Sequence, residues 1–417
     1  MFVGITNTPR PYAWGSTTAI AQLLGHEASG SPEAELWLGA HPGSPSVILD
    51  PTQTGGATTL DEWIAADPET TLGRFAASGR LPFLLKVLAA GSPLSLQAHP
   101  TLAQAQAGFA RENDRGIALD APQRNYRDAF PKPELIYALS SFDALCGFRP
   151  LEEVHALLHA LIGASLSLED PQPQPLEDLL DSLSGSLSGS GSGSDGALPE
   201  TFEWLIGQRT GVATLVSLVV TLAERGVAGY DREMATVVSL AQQFPGDPGI
   251  VISLLLNRVT LAAGEALYLP AGNIHAYLSG LGVELMAASD NVLRGGLTPK
   301  HIDVPELLDV LDFTPVAVPY LQSTSPSEGV AAFAPDVADF TLLRIDGRVL
   351  DGRVLGASFA LTGPAIALCT AGDVSITGAA SSSSLVLGES VYITPDEAGL
   401  RFTGSGTVFV ATTGVPA

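Results

Sequence analysis

The sequence is poor in cysteine and has no apolar run long enough to cross a bilayer. Only Cys146 and Cys369 occur, far apart and outside any CxxC motif, so we predict neither a disulfide framework nor a thiolate metal site and expect a reducing cytoplasm. The longest apolar run, GVATLVSLVVTLAERG, is shorter than the roughly 20 residues that span a membrane and is typical of a core helix. The first residues show no basic segment followed by an apolar stretch, so we expect no secretory signal.

Positive charge is also scarce. The sequence has 20 Lys and Arg residues against 44 Asp and Glu, a formal net charge of −24, which argues against nucleic-acid binding. An anionic ligand would therefore need a local cluster of cations. Only three basic residues are lysines, namely Lys86, Lys132 and Lys300. They either remain by chance or occupy sites that need a compact ammonium group.

The pattern along the chain divides its 417 residues into three parts. The first 150 residues mix short strand-like runs with one predicted helix over 101–112. From Leu151 to residue 245, apolar residues recur at helical spacing, as at Val154, Leu157, Leu158 and Leu161. The Gly/Ser-rich stretch 183–196 within this region predicts a flexible surface loop. We interpret 151–245 as a helical insert.

Strand-like patterns return after residue 246 and contain one recognisable motif. Gly264, Pro270, Gly272 and His275 match G-x5-P-x-G-x2-H, which resembles the second signature of cupin barrels. A tight turn at Pro270 and Gly272 would direct His275 into the barrel; the alternative is an ordinary core histidine.

After about residue 325, short strands separated by Gly and Ser predict a second jelly roll. Its LVLGESVYITPDEAG echoes the earlier LAAGEALYLPAG, but no histidine follows His301, so this copy cannot bind metal through histidine.

We therefore expect a mainly β fold with two cupin-like jelly-roll barrels and an α-helical domain. The predicted domains are a discontinuous catalytic cupin domain (1–150 and 246–320), the helical insert (151–245) and a degenerate C-terminal jelly roll (321–417).

The segment LSLQAHP provides the first candidate metal ligands. Side chains two positions apart on a strand share a face, so Gln97 and His99 would point together. With Glu134 and His275 they would give two imidazoles, one carboxylate and one neutral oxygen, which favours a redox-inert Lewis acid such as zinc over iron.

Several blocks together resemble type I mannose-6-phosphate isomerases, which are zinc-dependent. These blocks are PYAWGS, AELWLGAHPGSPS, LPFLLKVL, LSLQAHP, RNYRD, KPEL and LPAGNIHAYLSGLGVELMAASDNVLRGGLTPKHID. The resemblance implies one Zn²⁺ per chain, bound by Gln97, His99, Glu134 and His275. It further implies a catalytic role for Arg294 and Lys132, a pocket lined by Tyr277, Glu284 and Asp290, and a phosphate near Ser95 and Lys300. One departure is Pro131, where the family commonly has a histidine.

The implied reaction interconverts mannose 6-phosphate and fructose 6-phosphate through a cis-enediol. A divalent ion and a guanidinium would stabilise the negative charge that develops on O1 and O2. Lys132, Tyr277 and Glu284 each remain candidates for the general base. We expect a cytoplasmic monomer that acts on a small sugar phosphate, with no nucleic-acid or membrane partner. The alternatives are a metal-dependent cupin oxygenase and a non-catalytic sugar-binding bicupin.

Overall fold

A computed structural model describes residues 1–184, 197–350, 353–355 and 357–414. Helices and strands make up similar shares of the chain, 31% and 30%, so the fold is mixed where a mainly β chain was expected. Short helices near the N-terminus contribute to this difference, because they are too short to show the repeating apolar pattern that predicts a helix. Most of the predicted loop 183–196 lies outside the described residues.

The described helices comprise three short N-terminal helices, one longer helix that follows them, a central group of six and one last helix after residue 300. They are α1 (Ala19–Leu24), α2 (Leu60–Ala66), α3 (Pro68–Leu72), α4 (Leu102–Asp114), α5 (Leu151–Ser165), α6 (Gln174–Leu183), α7 (Ala197–Ile206), α8 (Val212–Arg225), α9 (Asp231–Gln243), α10 (Gly249–Ile252) and α11 (Val304–Val310).

The strands form two large antiparallel sheets and one small hairpin. They are β1 (Phe2–Thr6), β2 (Glu35–Leu38), β3 (Val47–Ile48), β4 (Phe83–Ala90), β5 (Gln97–Ala98), β6 (Glu134–Ala138), β7 (Phe142–Phe148), β8 (Leu256–Leu261), β9 (Ala266–Leu269), β10 (His275–Ala287), β11 (Leu293–Arg294), β12 (Thr324–Ser327), β13 (Val330–Phe333), β14 (Thr341–Asp346), β15 (Arg348–Leu350), β16 (Arg353–Leu355), β17 (Ala357–Ala360), β18 (Ala365–Thr377), β19 (Ser382–Val386), β20 (Ser390–Ile393) and β21 (Gly399–Thr412).

The first sheet has nine strands organised around the long strand β10. The first part of β10 pairs with β5 and β7, and its second part, from Gly280 onward, pairs with β4 and β6. Gly280 has a φ of +125°, and a Cβ there would approach the Ser141 carbonyl oxygen to 2.7 Å. Glycine thus permits the change of partners at this point.

The second sheet has ten strands and includes the beginning of the chain. β1 pairs with β20 on one side and with β3 on the other, whereas the remaining members follow residue 320. The N-terminal strands β1 and β3 thus complete a sheet whose other members lie in the C-terminal part of the chain.

Helical periodicity predicted the helices α5 to α9, and the structure confirms them, whereas α10 lies where the sequence favoured a strand. In α8, Leu215, Val219 and Leu222 are at most 1% exposed, and they join α5, α6, α7, α9 and α10 in one apolar core. Burying one such leucine contributes about 1.5–3 kcal/mol. The helix predicted over 101–112 is confirmed as α4, whose N-cap Thr101 forms a capping box with Gln104.

No helix in the described residues is sufficiently long and apolar to span a membrane. Both cysteines are buried and free.

Candidate metal centre and active site

Strand register and one tight turn bring the candidate metal ligands together. Gln97 lies between His275 of β10 and Arg294 of β11 in the sheet. The turn before β10 passes through Gly272, which has a φ of +80° and whose N–H donates to the His99 carbonyl at 2.8 Å. The motif glycine therefore anchors the turn beside His99 and starts β10 at His275.

His99, Glu134 and His275 form a compact buried cluster. Their ligating atoms all lie within 4.8 Å of one another, and each side chain is at most 2% exposed. Nε2 of His99 is 3.2 Å from Glu134 Oε1, and Nε2 of His275 is 3.3 Å from Glu134 Oε2. The amide nitrogen of Gln97 lies 3.2 Å from His275 Nε2.

The protonation of His99 shows why this cluster fits a cation. Its Nδ1 donates to the Asn291 carbonyl at 2.8 Å, so the neutral ring has a bare lone pair at Nε2. Burial lowers the His99 pKa to about 4, even though Glu134 opposes this shift. The His99 Nε2 and Glu134 Oε2 atoms have no hydrogen-bond partner in the described residues. Buried imidazole and carboxylate acceptor atoms that lie close together without partners suit a bound metal ion.

A cavity of about 610 Å³ adjoins this cluster. Its lining includes every predicted residue that is not a histidine: Ser95, Gln97, Lys132, Glu134, Tyr277, Glu284, Asp290, Arg294 and Lys300. Lys132 Nζ contacts Glu134 Oε1 at 2.9 Å. Burial raises the pKa of Glu134, but Lys132 and His99 outweigh it and hold that pKa well below its usual range. Glu134 is therefore ionised.

One wall of the cavity carries a buried lysine between two acids. Lys86 Nζ is 3.0 Å from Glu284 and 3.5 Å from Glu35, and all three residues are at most 7% exposed. Burial raises the pKa of Glu284, while Lys86 opposes the shift and Glu134 adds to it. The hydroxyl of Tyr277 is buried without a hydrogen-bond partner in the described part of the chain, and burial followed by Glu284 raises its pKa well above the ordinary value.

Another part of the cavity is cationic. Burial and the neighbouring Arg127 lower the pKa of Arg294, and burial, Arg294 and Arg127 together lower the pKa of Lys300. Lys300 has no ion-pair partner among the described residues. Of its nearby acids, Asp303 accepts from Asn125 and Glu306 pairs with Arg111.

A histidine that the sequence analysis did not select also lines the cavity. His41 Nδ1 accepts from the Gly43 N–H at 3.0 Å, so Nε2 carries the proton and donates to Asp290 at 3.2 Å. Burial raises the pKa of Asp290, but the hydrogen bond and charge of His41 outweigh it, so the pKa lies below its usual value.

Comparison with known proteins places this geometry in a family. The family model for the phosphomannose isomerase type I catalytic domain matches residues 2–151. The chain is 36% identical over 410 residues to the mannose-6-phosphate isomerase of Escherichia coli, covering 96% of this chain and 97% of the relative. It is 34% identical over 385 residues to the human mannose-6-phosphate isomerase, covering 87% and 86%. The chain belongs to the type I phosphomannose isomerase family.

Solved structures of this phosphomannose isomerase family resemble the whole chain. A zinc-bound mannose 6-phosphate isomerase superposes with a TM-score of 0.84 at 32% identity, covering 99% of this chain and 100% of that one. The apo enzyme of Salmonella typhimurium gives the same TM-score and identity, with 99% of each chain covered.

The sequence analysis did not select four residues in or near the cavity. They are Glu35, Trp37 and His41, which line it, and Arg127, which influences Arg294 and Lys300. The sequence did indicate Glu35 and Trp37, because these two side chains lie on the same face of a strand, as Gln97 and His99 do.

Proposed function

We propose that this chain is a mannose-6-phosphate isomerase that interconverts mannose 6-phosphate and fructose 6-phosphate. The observation that carries the proposal is the buried His99–Glu134–His275 cluster, whose unpartnered acceptor atoms adjoin a cavity with a cationic side. This combination suits a metal ion next to the site of a phosphorylated sugar. Membership of the family supports the same reaction.

His99, Glu134, His275 and Gln97 would hold one Zn²⁺ per chain. Two imidazoles and a carboxylate are a usual set for catalytic zinc, and a neutral amide oxygen suits a redox-inert ion better than an iron oxygenase site. For Gln97 to contribute its oxygen, the amide must turn, since its nitrogen faces His275. When bound, the ion supplies Lewis-acid stabilisation of negative charge on the sugar oxygens.

The residues of the chain divide the remaining work. The Arg294 guanidinium stabilises negative charge on O1 and O2 of the cis-enediol, and Lys300 with Ser95 binds the phosphate. Asp290 and Tyr277 orient the sugar. Lys132, Glu284 and Tyr277 each present a titratable atom to the cavity, so each is a candidate to carry the proton between C1 and C2. The raised pKa of Glu284 suits a carboxylate base near neutral pH.

We also infer the finer architecture. The two large sheets are cupin-type barrels, supported by the exchange of partners along β10 and by the turn at Gly272. The catalytic unit comprises residues 1–150 and 246–320, the helical insert 151–245 and the degenerate jelly roll 321–417. We expect the protein to be a monomer. We also expect it in the cytoplasm, because its two cysteines are free thiols.

Metal removal tests the function directly. Treatment with a chelator should abolish conversion of mannose 6-phosphate, and added zinc should restore it, since no other Lewis acid is available among the cavity residues. The assay follows fructose 6-phosphate formation alongside metal content. Full activity in metal-free protein would contradict the site, and absence of any isomerase activity in the zinc-loaded protein would favour a non-catalytic sugar-binding protein.

A further inference from the structure

The orientation of His99 depends on a backbone carbonyl, that of Asn291, and this carbonyl is itself held in place by an unusual set of contacts. Asn291 and Ser289 are at most 1% exposed and lie in the loop between β10 and β11. Neither residue lines the cavity. Apart from one bond between Asn291 and Ser289, the hydrogen bonds of their side chains lead to a second loop, residues 127–130, which is more than 150 residues away in the sequence.

The side chain of Asn291 bridges the two loops. Its Oδ1 accepts from the Arg127 N–H at 2.7 Å. Its amide nitrogen donates to the Asp128 and Phe130 carbonyls, both at 2.9 Å. An amide that donates and accepts in this way fixes both its own rotamer and the backbone that carries it.

Asp128 completes the arrangement from the opposite loop. Its Oδ1 accepts from the Ser289 hydroxyl at 2.9 Å, and its Oδ2 accepts from the Asp290 N–H at 2.9 Å. The Ser289 hydroxyl in turn accepts from the Asn291 N–H at 3.2 Å. The carboxylate therefore braces three consecutive residues, the last of which supplies the carbonyl that His99 requires.

We propose that Asp128, Ser289 and Asn291 form a positioning unit for the metal centre and the pocket together. The unit holds the Asn291 carbonyl against His99 Nδ1, which directs the Nε2 lone pair toward Glu134. Through the Asp290 N–H and the Arg127 N–H it also sets the backbone of Asp290, which lines the cavity, and of the cationic residue Arg127. The inference rests on the proposed function, because it assumes that His99 binds the metal.

The two members of the unit with small side chains give the sharpest test. Ser289→Ala removes only a hydroxyl and leaves Asn291 intact. Asp128→Asn removes the negative charge and replaces one of the two carboxylate oxygens with a donor, so the Ser289 hydroxyl and the Asp290 N–H can no longer each donate to an oxygen of this side chain. A matched control is Asn125→Ala, at a position just before the loop 127–130. This change removes the hydrogen bond from the Asn125 side chain to Asp303 and alters no hydrogen bond of residues 289–291.

Zinc affinity, measured by competition with a chromophoric chelator, is the main readout. Changes to groups that orient a metal ligand typically weaken metal binding by about 10–100-fold. We expect Ser289→Ala and Asp128→Asn to raise the zinc Kd by at least about tenfold, and Asn125→Ala to leave it within about twofold of the unmodified protein. The visible spectrum of the cobalt-loaded protein should change in the first two variants only, because it reports ligand geometry.

The melting temperature of each metal-free variant separates positioning from a purely structural role. Unchanged zinc Kd and cobalt spectrum in Ser289→Ala and Asp128→Asn, accompanied only by a lower melting temperature, would overturn the proposal. An equal loss of zinc affinity in Asn125→Ala would overturn it as well, since any damage to the loop would then suffice. If the unmodified protein binds no zinc, the proposed metal site itself fails, which is a distinct result.

Discussion

Lys86 compensates two buried acids, and its replacement should be costly in a way that depends on pH. The ammonium lies 3.0 Å from Glu284 and 3.5 Å from Glu35, and Glu134 adds a third negative charge that raises the Lys86 pKa. Lys86→Met keeps most of the side-chain volume but leaves these carboxylates without their cation. Removing one partner of a buried ion pair costs about 3–5 kcal/mol in the free energy of unfolding.

The pH dependence follows from Glu284. In the variant its folded-state pKa rises further above the unfolded value, because burial and the Glu35 and Glu134 carboxylates act without the opposing charge of Lys86. A group with a raised folded pKa contributes stability that is present below the unfolded pKa and is lost as pH rises through the folded pKa. The loss in the free energy of unfolding, relative to the unmodified protein, should therefore be small near pH 5 and reach its full size near pH 8.

Urea unfolding of both metal-free proteins at the two pH values measures this difference. The double variant Lys86→Met/Glu284→Gln is the matched control, since it removes one uncompensated charge and should recover much of the loss. A cost below about 1 kcal/mol at pH 8, as for an exposed pair, or an equal cost at both pH values, would refute the reasoning.

The remaining predictions concern the reaction. Arg294→Ala should lower kcat by roughly 10²-fold with zinc content unchanged. Arg294→Lys should restore little activity, because a point charge does not replace the planar guanidinium group. A preserved kcat per bound zinc would assign the arginine a structural role. Lys300→Ala should raise KM for mannose 6-phosphate by more than about tenfold and reduce the preference over unphosphorylated mannose, whereas an unchanged KM and preference would place the phosphate elsewhere. Acidification toward about pH 4, where the buried His99 imidazole takes up a proton, should release zinc because the proton competes for the ligand atom. Equilibrium dialysis across this range would detect retention if the ligands are other groups.

Local periodicity explains why part of the site could be predicted from the sequence. Gln97 and His99 share a strand face, and the spacing from Gly264 to His275 specifies a turn, so each pair can be recognised within a dozen residues. Glu134 was selected because its carboxylate completes a zinc donor set with the two histidines. The role of Arg294 came from resemblance to a family, since no short-range pattern connects it to a sugar.

Other features depend on contacts between distant segments and were beyond sequence reasoning. Asp128 contacts Ser289 across 161 residues, and His41 contacts Asp290 across an even longer separation. The sequence around each residue therefore gives no sign of its partner. The helices α1, α2 and α3 have at most seven residues each, too few for the helical period to repeat. Their omission made the chain look more β-rich than it is.

The pairing of β1 with β20 has a consequence for the order of folding. Residues 2–6 are synthesised long before their partner strand, residues 390–393. Until then β1 has an unsatisfied edge, and closing a loop of this length is entropically expensive. The second sheet should therefore be completed late, after the helices and the first sheet, and a nascent chain arrested before residue 390 would leave its N-terminal strand available for binding by chaperones or for aggregation.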